Sequence, residues 1–207
     1  CSSDLIEDAR PILRRQIELA TEQLSADEIV AEFQRILDMD AENPDFHLDF
    51  ARYLHGADQE NKSAAHYRQA VTLYEKSGDF QEALAILTEL SERRPEDFAL
   101  LGQQGQLLAQ LKRPEEAREC FVRAGEGLIA QTEIATGVGM LLRALEINPD
   151  DAPLLERVAN LYESSNAAQQ AADLYLRLAD LHQNREQFVE EIRYLHKVLD
   201  LDPENAE

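Results

Sequence analysis

No tryptophan occurs among the 207 residues, and only two cysteines do, Cys1 and Cys120. Two cysteines make no disulfide framework, so a reducing compartment fits and the expected location is cytoplasmic. Glycine (8) and proline (7) are sparse, which removes the usual helix breakers. No apolar run approaches the ~20 residues that span a bilayer, so no membrane insertion is expected. Basic residues number 20 against 41 acidic ones, a formal net charge of −21 spread along the chain. Such a surface repels phosphate backbones and anionic lipid. With no basic stripe interleaved with aromatics, nucleic acid is not an expected partner. The charge favours a basic partner, and it equally serves solubility.

The chain opens Cys-Ser-Ser, with no secretory signal pattern before it. A mature bacterial lipoprotein would begin with an acylated cysteine and small residues. Here the helical pattern starts by about Asp4, which leaves almost no tether, so the boundary of a longer chain is the expectation.

What is present is organised around Ser63 to Pro95. Tyr67, Ala70, Val71 and Tyr74 fall on one helical face, and Ala83, Leu87 and Leu90 do so in a second segment. Ser77-Gly78-Asp79 joins the two, Asp79 and Glu82 form a capping-box pattern, and Pro95 stops the second. This predicts a helical hairpin.

The chain repeats the hairpin at an offset of 54 residues. Pro95, Pro149 and Pro203 recur at that spacing, as do Tyr67, Phe121 and Tyr175, Ala51, Gly105 and Ala159, and Leu87, Leu141 and Leu195. Self-similarity at a fixed period is the signature of a repeat array. Each unit holds three predicted helices. The first type covers Pro44–Gly56, Asp97–Leu111 and Asp151–Ser164. The second covers Asn61–Lys76, Pro114–Gln131 and Ala167–Asn184, and the third Phe80–Arg93, Ile134–Ile147 and Phe188–Leu201. Helices over Asp4–Leu24 and Ala26–Met39 precede them, with a capping box at Ser25 and Glu28. The expectation is one all-α domain of about eleven helices over 1–207. It divides into a partial unit 1–40 and units 41–94, 95–148 and 149–202, and is a piece of a longer array.

The hairpins resemble tetratricopeptide repeats. That family's pattern of large, small, then Ala, aromatic, Ala and Pro positions is carried by Tyr67, Ala70, Val71, Tyr74, Ala83, Leu87, Leu90 and Pro95. It is carried again by Leu101, Gln104, Gly105, Leu108, Ala117, Phe121 and Ala124, and by Leu155, Val158, Ala159, Tyr162, Ala171, Tyr175 and Leu178. The family tryptophan is absent, and Glu191 stands where Ala83 and Gly137 stand, so the last hairpin is expected to pack less tightly. The resemblance implies a right-handed superhelical α-solenoid that binds a peptide or protein segment on its concave surface, without catalysis. By family position the lining residues would be Leu48, Arg52 and His55, then Gly102, Gln106 and Ala109, then Glu156, Asn160 and Glu163. One subset of the family clamps acidic C-terminal tails with Lys and Asn. The matching positions here read Leu48, Arg52, Gly102, Gln106, Glu156 and Asn160, and only Asn160 fits, so such tails are not expected ligands. Two other classes stay open: a regulatory or positioning arm of a larger enzyme, and self-association through exposed repeat ends.

No motif for chemistry stands against this. Gly125-Glu-Gly127-Leu-Ile-Ala130 has the letters of a dinucleotide fingerprint but lies inside a predicted helix, so no cofactor is expected. Six of the eight glycines lie between Gly102 and Gly139. Gly105, Gly125 and Gly137 occupy small packing positions, whereas Gly102, Gly127 and Gly139 have no such reason in sequence. His47, His55, His66, His182 and His196 form no zinc-like helical pair, and His182 reads as a packed side chain. Cys120, beside Phe121, reads as half-buried. No catalytic set is anchored by a motif.

Overall fold

The computed structural model describes Arg15 and residues 24–201. Ten helices run through the described residues: α1 Ala26–Met39, α2 Pro44–Gly56, α3 Glu60–Ser77, α4 Phe80–Arg93, α5 Phe98–Gln110, α6 Pro114–Ala130, α7 Ile134–Ile147, α8 Ala152–Ser164, α9 Ala168–Asn184 and α10 Phe188–Leu201. No strand occurs among them. The helix expected over Asp4–Leu24 falls outside the described residues, apart from helical Arg15 and Leu24, which stands in a bend. The fold class is therefore all-α, built from antiparallel helix hairpins. The chain divides into two compact units, Cys1–Leu90 and Ser91–Glu207.

Local chemistry sets the helix ends. Glu28 Oε2 accepts from the Ser25 backbone N–H at 2.9 Å and from its hydroxyl at 2.7 Å, as the capping-box pattern requires. Asn43 Oδ1 accepts from Asp45 N and Phe46 N, and Pro44 opens α2 at a position where its missing N–H costs nothing. Two kinds of tight turn need one left-handed residue each. Asp58, Lys112 and Asn166 serve the first kind, and Gly78, Thr132 and Glu186 the second, each set 54 residues apart. Only Gly78 takes that conformation without steric cost.

In the first unit, Phe33 and Phe50 stack at 4.7 Å within a cluster of Ile29, Ile36, Leu37, Phe46 and Leu54. Alanines 51, 70 and 83 are fully buried there. The hydroxyl of Ser63 donates to Ala51 O at 2.8 Å, satisfying the one buried polar group at that crossing.

In the second unit, α6 packs against both α5 and α7, and α9 against both α8 and α10. Small residues let these helices approach. A methyl group placed on Gly105 would meet the Phe121 ring at 2.8 Å, and one on Gly125 would meet Leu141 at 2.5 Å. Gly127, for which the sequence offers no packing reason, has one: a methyl there would lie 2.2 Å from the Phe98 ring. Gly139 alone of the six has open space above it. The last hairpin is the loosest, as Glu191 suggests. Only Tyr194 and Val198 of α10 are buried, against five residues of α4.

Candidate functional site

One side-chain arrangement recurs at the 54-residue spacing. A polar residue on one helix faces a charged residue on the helix two further along, across an aromatic ring on the helix between. In the first unit these are Arg52 of α2, Tyr67 of α3 and Glu89 of α4. Arg52 Nη2 donates to Glu89 Oε2 at 2.7 Å and the Tyr67 hydroxyl donates to Oε1 at 2.7 Å. The hydrogen bond to Glu89 is the main reason the Arg52 pKa is raised. His55 is engaged nearby, with Nδ1 2.5 Å from Glu60 Oε1.

In the second unit the arrangement occurs twice. At α8, α9 and α10, Lys197 Nζ donates to the Tyr175 hydroxyl at 2.8 Å and to Glu163 Oε2 at 3.0 Å, with Asn160 Oδ1 at 3.3 Å. The ammonium sits 4.5 Å from the Tyr175 ring centre, a favourable cation–π placement. The Tyr175 hydroxyl lies 2.6 Å from Glu163 Oε2 and 2.7 Å from Asn160 Oδ1, so its single proton can serve one acceptor at a time. The hydrogen bond from Tyr175, then that from Lys197, holds the Glu163 pKa below the ordinary carboxylate value. Burial, then the bond to Glu163, pushes the Tyr175 phenol up.

At α5, α6 and α7 the same positions read Gln106, Phe121 and Arg143. Arg143 Nη1 reaches Gln106 Oε1 at 3.4 Å, and its guanidinium carbon stands 5.8 Å from the Phe121 ring centre. No carboxylate meets it: among the described residues Arg143 makes no ion pair. Ala109 stands where Glu163 stands 54 residues later.

The lining residues expected from the family positions thus do not share one surface. In the second unit, side-chain links join α5 to α7 through Gln106 and Arg143, and α6 to α8 through Glu126 and Arg157. They also join α8 to α10 through Glu156 and Arg193. Successive antiparallel helices alternate between two layers: α5, α7 and α9 in one, α6, α8 and α10 in the other. The structure therefore brings Glu156, Asn160 and Glu163 together on α8 and leaves Gln106, three helices earlier, in the opposite layer. Leu48 and Gly102 are buried, and Gly102 sits under Met140.

The two layers differ in what they offer. Along α6, α8 and α10, Arg157 pairs with Glu126, Arg118 with Asp151, Arg193 with Glu156 and Lys197 with Glu163. The α5, α7 and α9 layer instead holds two open grooves, one on each side of α7. The first, about 530 Å³, is lined by Gln106, Ala109, Gln110, Phe121, Arg143, Glu146 and Ile147. The second, about 420 Å³, is mainly apolar and is lined by Ile134, Ala135, Val138, Gly139, Leu142 and Tyr162, among others. Exposed Gly139 leaves the crest of α7 without a side chain between them. Sequence reasoning missed both grooves, although Gly139, a helix-interior glycine without a packing role, was the available signal.

Other candidates resolve as packing. His182 stacks on Tyr194 at 5.4 Å and its Nδ1 lies 2.7 Å from Gln187 Oε1. Cys120 is half-buried, and burial pushes its thiol pKa up, which suits a packed rather than a nucleophilic thiol. Among the described residues no group of three or more His, Cys, Asp or Glu is placed to hold a metal. No helix among them is long and apolar enough to cross a membrane.

Residues 74–126, which run from the end of α3 through most of α6, match the family model described as tetratricopeptide repeat. The helix hairpins of this chain are tetratricopeptide repeats. No curated protein matches the chain. Among solved structures, the chain is similar to MamA at 16% identity and TM-score 0.29, over 64% of this chain and 94% of that one. It is similar to PilF of Pseudomonas aeruginosa at 15% identity and TM-score 0.29, over 97% and 95%. The C-terminal part of a TPR repeat-containing protein from Cytophaga hutchinsonii is similar at 12% identity and TM-score 0.27, over 93% and 96%.

Proposed function

We propose that this chain is a non-catalytic protein-interaction scaffold that holds a polypeptide segment on the outer face of α5, α7 and α9. Tetratricopeptide repeats generally serve as such scaffolds, with a groove along one layer of helices. The observation that carries the choice of face is the contrast between layers. The α6, α8 and α10 side chains are occupied with one another, while the other layer has two grooves joined over Gly139. On this reading Gln106 is the one member of the expected lining set that contacts the segment. Arg52, His55, Glu156, Asn160 and Glu163 hold the scaffold's own helices. A photo-crosslinking amino acid at Gln110 or Gly139 should give adducts with a partner protein in the source cells, and one at Arg157 should not. Adducts from Arg157 alone would overturn the choice of face.

A second reading, self-association, rests on α10. Phe188, Val189 and Ile192 are 59%, 80% and 55% exposed, a contiguous apolar strip of the kind that marks contact surfaces.

A further inference from the structure

The two polar–aromatic–cation arrangements of the second unit differ by one group. At α8–α10 a cation lies against an aromatic ring, beside an amide, and a carboxylate closes the set: Lys197, Tyr175, Asn160 and Glu163. At α5–α7 the cation, ring and amide are present as Arg143, Phe121 and Gln106. The position of the carboxylate is taken by Ala109, whose side chain ends at Cβ, and the space beside it is the open groove of about 530 Å³. The charged side chains lining that groove are Arg143 and Glu146. Arg143 is exposed, lacks an ion pair among the described residues, and lies in a chain with twice as many acids as bases.

We propose that the α5–α7 groove takes an Asp or Glu side chain of a partner segment, in the place that Glu163 fills at α8–α10. The inference rests on the scaffold reading above and gives the segment its chemistry. The carboxylate accepts from the guanidinium of Arg143 and from the side-chain amide of Gln106, while its methylene groups pack on Ala109 and the edge of Phe121. A planar guanidinium with an open side suits a carboxylate better than an ammonium does. The net charge of −21 acts against this preference at long range. Selection of an acidic residue therefore reports the local contact and not the field of the whole chain. The ligand is an internal acidic side chain, not a chain terminus, since the clamp positions for a terminal carboxylate read Gly102 and Gln106 here.

The test uses the full chain and three pools of fluorescent nonapeptides, acetylated and amidated so that no terminal charge remains. Their flanks are randomised over uncharged residues, and the central residue is Glu, Gln or Lys. Anisotropy titrations should show the Glu pool binding about tenfold tighter than the Gln pool, the scale of one charge-assisted hydrogen bond. Arg143→Gln should abolish the difference. Ala109→Glu, which supplies the missing carboxylate from within, should abolish it too. Both positions are exposed, and circular dichroism should show an unchanged helix content. A Lys preference, or a Glu preference that survives Arg143→Gln, overturns the proposal and leaves the scaffold intact. Equal binding of the Glu and Gln pools does the same. Binding of no pool overturns the scaffold reading of this face together with the proposal.

Discussion

His66 donates its Nδ1 proton to Nδ1 of His47 across 2.9 Å. The direction follows from the far side of the second ring: His47 Nε2 lies 3.1 Å from Ala41 O, which can only accept, so Nε2 carries the proton and Nδ1 is left to accept. A pair in this state has no room for a proton on both facing nitrogens. Burial, then the neighbouring His47, lowers the His66 pKa below the ordinary 6.5. A histidine held neutral in the fold binds fewer protons than its unfolded counterpart. Its contribution is therefore complete above about pH 6.5 and declines as pH falls toward the folded value. The midpoint of the His66 ring resonances in an NMR titration should lie below 6.5. The first unit should lose melting temperature between pH 7.5 and 5.5, and His66→Gln should reduce that loss. A midpoint above 6.5 would contradict the assignment.

Two glycines should respond to alanine with opposite signs. At Gly139 a methyl group meets nothing within 4 Å, so Gly139→Ala should stabilise by up to about 1 kcal/mol, the difference in helix propensity. At Gly127 the methyl would overlap the Phe98 ring, which cannot yield without moving α5. Overpacking of this kind costs about 1–3 kcal/mol and should outweigh the propensity gain. Urea denaturation of the two variants checks both signs.

Thr132 adopts φ 69°, a left-handed conformation that a β-branched residue takes at a steric cost. Thr132→Gly removes about 1–2 kcal/mol of strain and adds up to about 1 kcal/mol of unfolded-chain entropy. A net stabilisation of roughly 0.5 kcal/mol is expected on those figures. Thr132→Pro, whose ring forbids that φ, should lower the melting temperature instead.

The Tyr175 hydroxyl links Asn160, Glu163 and Lys197. Tyr175→Phe keeps the buried ring and deletes the link, and should cost about 1–2 kcal/mol, the scale of a hydrogen bond to a charged group. Lys197→Met at the edge of the same cluster should cost less than about 1 kcal/mol, as partly exposed ion pairs do. Thermal melts of the two variants should rank them in that order.

If α10 mediates self-association, light scattering should show mass rising with protein concentration, and Phe188→Lys with Ile192→Lys should hold the chain at monomer mass. Both side chains are more than half exposed, so the substitutions leave the core alone.

Much of this was legible from one chain. Steps of three and four residues placed the faces, and the ends of α4, α7 and α10 fell where Phe80, Arg93, Ile134, Ile147, Phe188 and Leu201 were expected. Asn166 and Gly78 are turn residues by chemistry, but Lys112, Thr132 and Glu186 are not, because hairpin geometry imposed the left-handed backbone on whatever side chain stood there. Gly127 was opaque because its neighbour, Phe98, lies in another helix. His47 and His66 met for the same reason, across the α2–α3 hairpin. The site was least legible. Periodicity finds equivalent positions, yet says nothing about which layer each occupies, so Gln106 and Asn160 were grouped although α5 and α8 face opposite ways.

The alternation of layers has a consequence for copying. Three helices are an odd number, so a segment duplicated as a 54-residue block lands with its inner and outer sides exchanged. A contact surface evolved on one copy is inverted in the next and restored only in the one after, as in a ribbon turned over once per block. A longer array of this kind would show a partner the same surface every 108 residues, while its reverse presented a second register of equal length. Splicing blocks in pairs would extend one continuous groove. Inserting a single block would break it and hand the remainder of the array to the other side.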